Sequence, residues 1–141
     1  MKGLKGFIVA RSRNIKPGFF TNDKLGELNP LARILFAGLW CHSDRDGRLL
    51  DRPKKLKAEI LPYDKCDCDE LLSTLQASGF IIRYAIEGNQ YIQCVNFDKH
   101  QNPHVKEQAS TIPAPDMSSA STVQESGKNV ASIGAARKLP G

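Results

Sequence analysis

No stretch of this 141-residue chain approaches the roughly 18 consecutive apolar residues that a membrane-spanning helix needs. The run Gly6–Ala10 is also too short for a signal-peptide core and leads into Arg11-Ser12-Arg13 rather than a small-residue cleavage site, so a cytoplasmic protein with no membrane partner is expected. Glycine-rich phosphate loops are missing: neither Gly-x-Gly-x-x-Gly nor Gly-x4-Gly-Lys-Ser/Thr occurs, which removes the nucleotide cradle. Cysteine numbers only four. Cys41 falls in an apolar helical stretch and Cys94 in a strand, the setting of small buried hydrophobes. Cys66-Asp67-Cys68 leaves a gap narrower than tetrahedral zinc favours. Pro103 interrupts His100-x3-His104 and opposes the helix that would align the two rings. Asp44-Arg45-Asp46-Gly47 looks like the opening of a calcium loop, but Lys55 stands at its twelfth position, where a glutamate is required. His42, Ser43 and Asp44 are neighbours in sequence, which does not make a catalytic triad. Reduced thiols, no metal, no cofactor and no enzymatic activity are the expectations.

Charge of one sign is also not spread over the chain. The formal charge is +5, and residues 1–20 account for it with Lys2, Lys5, Arg11, Arg13 and Lys16 against no acid. Residues 51–60 then hold four bases against two acids, while residues 61–70 hold one base against four acids. A uniformly basic face is absent, but a basic arm and one basic helix suffice to hold a polyanion through counterion release.

What is present is a clear succession of elements. Pro17-Gly18 punctuates, Phe19-Phe20 anchors the arm, and Thr21 or Asn22 caps a short helix through Leu28 with Leu25 and Leu28 inward. Asn29-Pro30 opens a helix running to about His42, a capping side chain followed by a proline whose missing N–H costs nothing there. Leu31, Ile34, Leu35, Phe36, Ala37, Leu39 and Trp40 cover most of its circumference, so it should lie at the centre of a domain. Asp44–Gly47 is a turn and Arg48-Leu49-Leu50 a very short strand. Asp51 is expected to cap a helix with Pro53 in its first turn and Leu56, Ala58 and Ile60 inward, stopped by Pro62. Asp67 and Glu70 frame a variant capping box for the next helix, with Asp69 also favoured by the positive helix end. Leu71, Leu72 and Leu75 face inward, and Ser78-Gly79 ends it. Phe80–Glu87 and Gln90–Phe97 are strand-like runs about Gly88-Asn89, with Phe80, Ile82, Tyr84 and Ile86 on one face: a hairpin.

The order strand, helix, helix, hairpin, preceded by an apolar helix, is that of a winged helix. The expected fold is mainly α with a small β-hairpin, a winged helix-turn-helix with an extra N-terminal helix. Its expected parts are a basic arm (1–16), the winged-helix domain (17–100) and an extended flexible tail or linker (101–141), the last rich in Ser, Ala, Pro, Gly and Thr. The acidic opening of the later helix would carry carboxylates toward phosphate. Arg11, Arg13 and Lys16 of the arm, Arg52, Lys54, Lys55 and Lys57 of the basic helix, and Arg83 of the hairpin are therefore the expected DNA contacts.

Three blocks carry a family resemblance: Ala10-RSRNIKPGFFTNDKLGEL-Asn29-PLARILFAGLW-Cys41, Asp44-RDGRLLDRPKKLKAEILPYD-Lys65 and Gly88-NQYIQCVNFDKHQNPHVKE-Gln108. Over residues 10–108 the chain resembles the N-terminal domain of phage and prophage replication proteins, akin to replisome organisers and helicase-loading primosomal proteins. The resemblance implies association with origin or template DNA, expected as duplex, during replication initiation. It also implies further C-terminal regions in longer members. Replication proteins or a second copy of the chain are the alternative partners, with Asp67, Asp69 and Glu70 as their contact.

Overall fold

The computed structural model describes residues 10–103 and 106–116. Within them the elements run α1 Gly18–Thr21, α2 Asp23–Gly26, α3 Pro30–His42, β1 Arg48–Leu50, α4 Pro53–Ile60, α5 Cys68–Ala77, β2 Ile81–Ile86, β3 Asn89–Cys94 and α6 Phe97–His100. The protein is mainly helical, with one small antiparallel sheet in the order β1-β3-β2.

The other helices pack around α3. Asn29 Oδ1 accepts the Leu31 N–H at 2.8 Å and Pro30 sits in the first turn, so the helix starts where its capping residues dictate. Ala32, Leu35, Phe36, Leu39 and Trp40 are buried, but Ile34 is 51 % exposed, so α3 is not enclosed on all sides as its sequence suggests. Gly38 permits the close approach of α4: a Cβ there would lie 2.4 Å from Ile60 Cγ2. On α5, Asp67 Oδ1 accepts the Glu70 N–H at 3.2 Å, Leu71, Leu72 and Leu75 are buried, and Gly79 leaves the helix at φ +85°.

The registers Leu49↔Ile92, Arg83↔Ile92 and Ile81↔Cys94 put these five residues on one face of the sheet. Leu49, Ile81, Ile92 and Cys94 belong to the same buried core as the helices. Ile86 pairs with Asn89, so the hairpin turns at Glu87-Gly88, one residue earlier than expected. Both turn residues have positive φ, 53° and 82°, the backbone whose twist matches paired strands.

Ile82, Tyr84 and Ile86 share the opposite face, as their alternation predicts, but that face is not bare. The Tyr84 hydroxyl donates to the Pro113 carbonyl at 2.7 Å and Arg48 Nη1 donates to the Ile112 carbonyl at 2.9 Å. Ile112 itself is 5 % exposed. Residues 106–116, expected as part of a flexible tail, are thus a strap that covers the outer sheet face. Residues 117–141 of that expected tail lie outside the described residues.

The described part of the expected arm, residues 10–16, also makes contacts with the body. The Arg11 N–H donates to the Cys41 carbonyl at 3.0 Å. The buried Gln101 side chain accepts the Asn14 N–H and donates to the Asn14 carbonyl, both at 2.8 Å. Residues 10–16 therefore lie fixed along the body, because backbone groups at a buried contact need partners; residues 1–9 lie outside the described residues. Among the described residues no helix is long and apolar enough to cross a membrane.

Candidate nucleic-acid interface

Exposed basic side chains cluster on helix α4 and at its N-terminal cap. Arg52, Lys54 and Lys55 are exposed and Lys57 is half-buried. Lys55 Nζ lies 3.5 Å from Glu59 Oε2, one turn on, and Glu59 Oε1 also lies 3.5 Å from His42 Nδ1. Lys57 Nζ donates to the Leu61 carbonyl at 3.2 Å, closing the C-terminal end of the helix. The expected inward triad is only partly inward: Leu56 is buried and Ile60 packs on the core, but Ala58 is exposed.

The start of α4 differs from expectation in a way that matters. Arg52, not Asp51, holds the cap position, and its side chain makes no capping hydrogen bond. Asp51 is drawn away by Arg83. Arg83 Nε donates to Asp51 Oδ2 at 2.7 Å and Nη2 to Asp51 Oδ1 at 3.0 Å, a two-pronged pair. The same Nη2 reaches Asp69 Oδ1 at 2.6 Å, and Nη1 reaches the Ser73 hydroxyl at 3.1 Å. Burial works against the charge on Arg83, but the hydrogen bonds to Asp51 and Asp69 outweigh it and raise its pKa. Arg83, expected as a DNA contact, is bonded within the fold, where it joins β2 to the end of β1 and the start of α5. The hairpin tip adds no base in its place, since its turn residues are Glu87 and Gly88.

Arg13, also expected as a DNA contact, is likewise bonded within the fold. Its side chain is 5 % exposed and its partner Glu107 4 %, with both guanidinium nitrogens on the carboxylate at 3.0 and 2.9 Å. Arg13 Nε donates to the Trp40 carbonyl at 3.0 Å and Nη2 to the Ser43 carbonyl at 3.1 Å, and the group lies 5.2 Å from the Phe97 ring centre. Hydrogen bonding from Arg13 holds the Glu107 carboxyl below its ordinary pKa, against the opposing effect of burial. Arg11 stays 44 % exposed at 3.5 Å from Glu107, and exposed Lys16 donates to the Lys99 carbonyl at 3.1 Å. The expected contacts thus divide: Arg11 and Arg13 meet at Glu107, the four α4 bases share a helix, and Arg83 sits behind the start of that helix.

Nothing in the thiols suggests a reactive centre. All four cysteines are free; burial pushes the Cys68 thiol up to about 11, aided by the neighbouring Cys66, and burial pushes Cys94 to about 12. Among the described residues no group of three or more His, Cys, Asp or Glu side chains is placed to hold a metal ion; His104 lies outside them. The Ser43 hydroxyl is buried and donates to the Trp40 carbonyl at 2.9 Å.

Sequence reasoning missed two participants. Glu107 sits where the composition reads as tail, so nothing local marked it. Tyr63 is 97 % exposed in the turn after α4, and its role depends on surroundings no periodicity reports. Comparison of the chain with protein-family models, with curated proteins and with solved structures finds no match.

Proposed function

We propose that this protein is a non-catalytic DNA-binding module of the winged-helix type, with α4 and α5 as the helix pair and β2–β3 as the wing. The observation that carries this reading is the cluster of bases at α4: Arg52, Lys54 and Lys55 are exposed and Lys57 is half-buried. The first helix of a helix-turn-helix pair crosses the phosphate backbone, where such a cluster meets negative charge. The resemblance of residues 10–108 to phage and prophage replication proteins assigns the DNA to replication initiation, inside a cell's cytoplasm.

The contact surface in this reading is narrower than the sequence implies. Arg13 and Arg83 are engaged internally, so Arg52, Lys54, Lys55 and Lys57 carry the phosphate contacts, with Arg11 and Lys16 as outlying charges. Asp69 shares Arg83 with Asp51 and Asp67 caps its own helix, so part of the acidic charge at the start of α5 is engaged within the fold.

A labelled duplex titrated by anisotropy at two salt concentrations tests the proposal. Wild type should bind with marked salt dependence. Reversing Arg52, Lys54 and Lys55 to glutamate should abolish binding, and a partial variant, Arg52→Ala with Lys54→Ala, should lower the salt slope by about two. Binding unchanged by the reversal overturns the assignment to α4.

A second reading, a winged helix for self-association or for holding another replication protein, draws on Phe20 at 67 % exposure and Ile34 at 51 %. Sedimentation of wild type against a variant changed at Asp67, Asp69 and Glu70 separates it: a lost oligomer supports protein contact, and an unaffected monomer counts against it.

A further inference from the structure

The turn between α4 and α5 presents an aromatic ring to water. Leu61 is 1 % exposed and anchors the turn in the core, while Tyr63, two residues later, is 97 % exposed. The Asp64 N–H donates to the Leu61 carbonyl at 3.3 Å, closing a four-residue turn with Pro62 in the position where its fixed φ is favoured. Lys57 Nζ donates to that same carbonyl at 3.2 Å. The Cys66 thiol lies 3.9 Å from the Asp64 carbonyl on the far side.

Isolated exposed apolar groups are common and need no explanation. Tyr63 differs in that its backbone is closed into a hydrogen-bonded turn, so the main chain beneath the ring needs little further ordering when the ring meets a partner. The Lys57 ammonium also brings a positive charge to this turn, bonding its Leu61 carbonyl with one of its three donors. The bases lie on the α4 side of the turn, where residues 52–60 hold four against Glu59, while Asp67, Asp69 and Glu70 lie on its α5 side. The α4 side is the one that matches a polyanion.

We propose that Tyr63 is a stacking platform for an unpaired base and that Lys57 neutralises the adjoining phosphate, so that the α4–α5 turn binds single-stranded DNA. This rests on the reading of α4 as a phosphate-contacting helix and names a strand preference for it. In a duplex the base faces are covered by their neighbours; a ring on a convex turn finds a π-face only where bases are unstacked. Aromatic stacking is tolerant of sequence, so the turn would hold any melted strand.

The experiment compares an oligothymidylate with a duplex of equal length, titrated with wild type, Tyr63→Ala, Tyr63→Phe and the Arg52→Glu/Lys54→Glu pair. Because Tyr63 is nearly fully exposed, its variants should keep the wild-type circular dichroism and urea midpoint. Tyr63→Ala should weaken single-strand binding roughly 5- to 100-fold and leave duplex binding unchanged, while Tyr63→Phe keeps both. If Tyr63→Ala binds the single strand like wild type while the charge-reversed pair does not, the stacking role is overturned and the basic helix stands. Wild type that binds duplex alone also overturns the stacking role. Wild type that binds neither at low salt overturns both readings. A Tyr63→Ala variant that changes sedimentation but not DNA binding assigns the ring to protein contact instead.

Discussion

Arg13 carries its charge in a place water hardly reaches, 5 % exposed beside a carboxylate 4 % exposed, with main-chain carbonyls and the Phe97 ring completing its surroundings. Such a pair contributes little relative to a well-packed apolar alternative, but removing one half leaves the other uncompensated. Arg13→Ala should therefore lower unfolding free energy by about 3–5 kcal/mol, read from the urea midpoint. Arg11→Ala should cost less than about 1 kcal/mol, since its guanidinium is 44 % exposed. The pair also gives stability a pH signature. The folded-state pKa of Glu107 is the lower one, so the native form binds fewer protons than the unfolded chain. The stabilisation is complete above the ordinary glutamate value of about 4.3 and is lost as the pH falls through the folded value. Glu107→Gln should lose stability at neutral pH and show a flatter decline on acidification, measured as urea midpoints from neutral to acid.

Between elements, Arg83 and Gly38 decide the geometry of the candidate interface. The Asp51 side chain is 5 % exposed and Asp69 63 %, although both bond the same guanidinium. Arg83→Met should thus cost about 3–5 kcal/mol through the stranded Asp51, whereas Asp69→Ala should cost about 1 kcal/mol or less. Chemical denaturation of the two variants checks the asymmetry, and similar losses would place the clamp on Asp69 instead. At the α3–α4 contact, a methyl added at Gly38 meets the Ile60 side chain well inside van der Waals distance. Gly38→Ala should destabilise by about 1–3 kcal/mol despite the better helix propensity of alanine. Because Ile60→Ala removes all three carbons that the new methyl would meet, the double variant should lose less than the sum of the two single losses in the same assay.

At the scale of the whole molecule, the two chain ends of the described domain are sewn to each other and to the turn between α3 and β1. Glu107 meets Arg11 and Arg13, the Ser110 hydroxyl bonds the Asp44 carboxylate, and Ile112 and Pro113 cover the outer sheet face. Ending the chain after Pro103 should strand Arg13 and uncover Tyr84, lowering unfolding free energy by about 3 kcal/mol or more and exposing the Tyr84 hydroxyl. Tyr84 offers a direct probe: burial raises its phenol to about 12. Its alkaline titration should fall toward the ordinary value of about 10 in the shortened chain, followed by ultraviolet absorbance.

Local chemistry alone determined the element order, because it acts within a few residues. Asn29-Pro30 starts α3, Asp67 caps α5, Gly79 ends it, and Leu71, Leu72 and Leu75 fall inward at helical spacing. Tertiary structure decided which charges face water. Asp51 reads as a cap until β2 folds back and brings Arg83 to it, and Arg13 reads as an arm until Glu107, 94 residues later, arrives beside it. Long-range ion pairs leave no periodic trace in a sequence, since each partner looks locally like any exposed charge. Of eight basic residues with the same apparent claim on DNA, two are spent holding the fold, and the α4 bases, beside the Tyr63 turn, form the main accessible group because the packing left them outside.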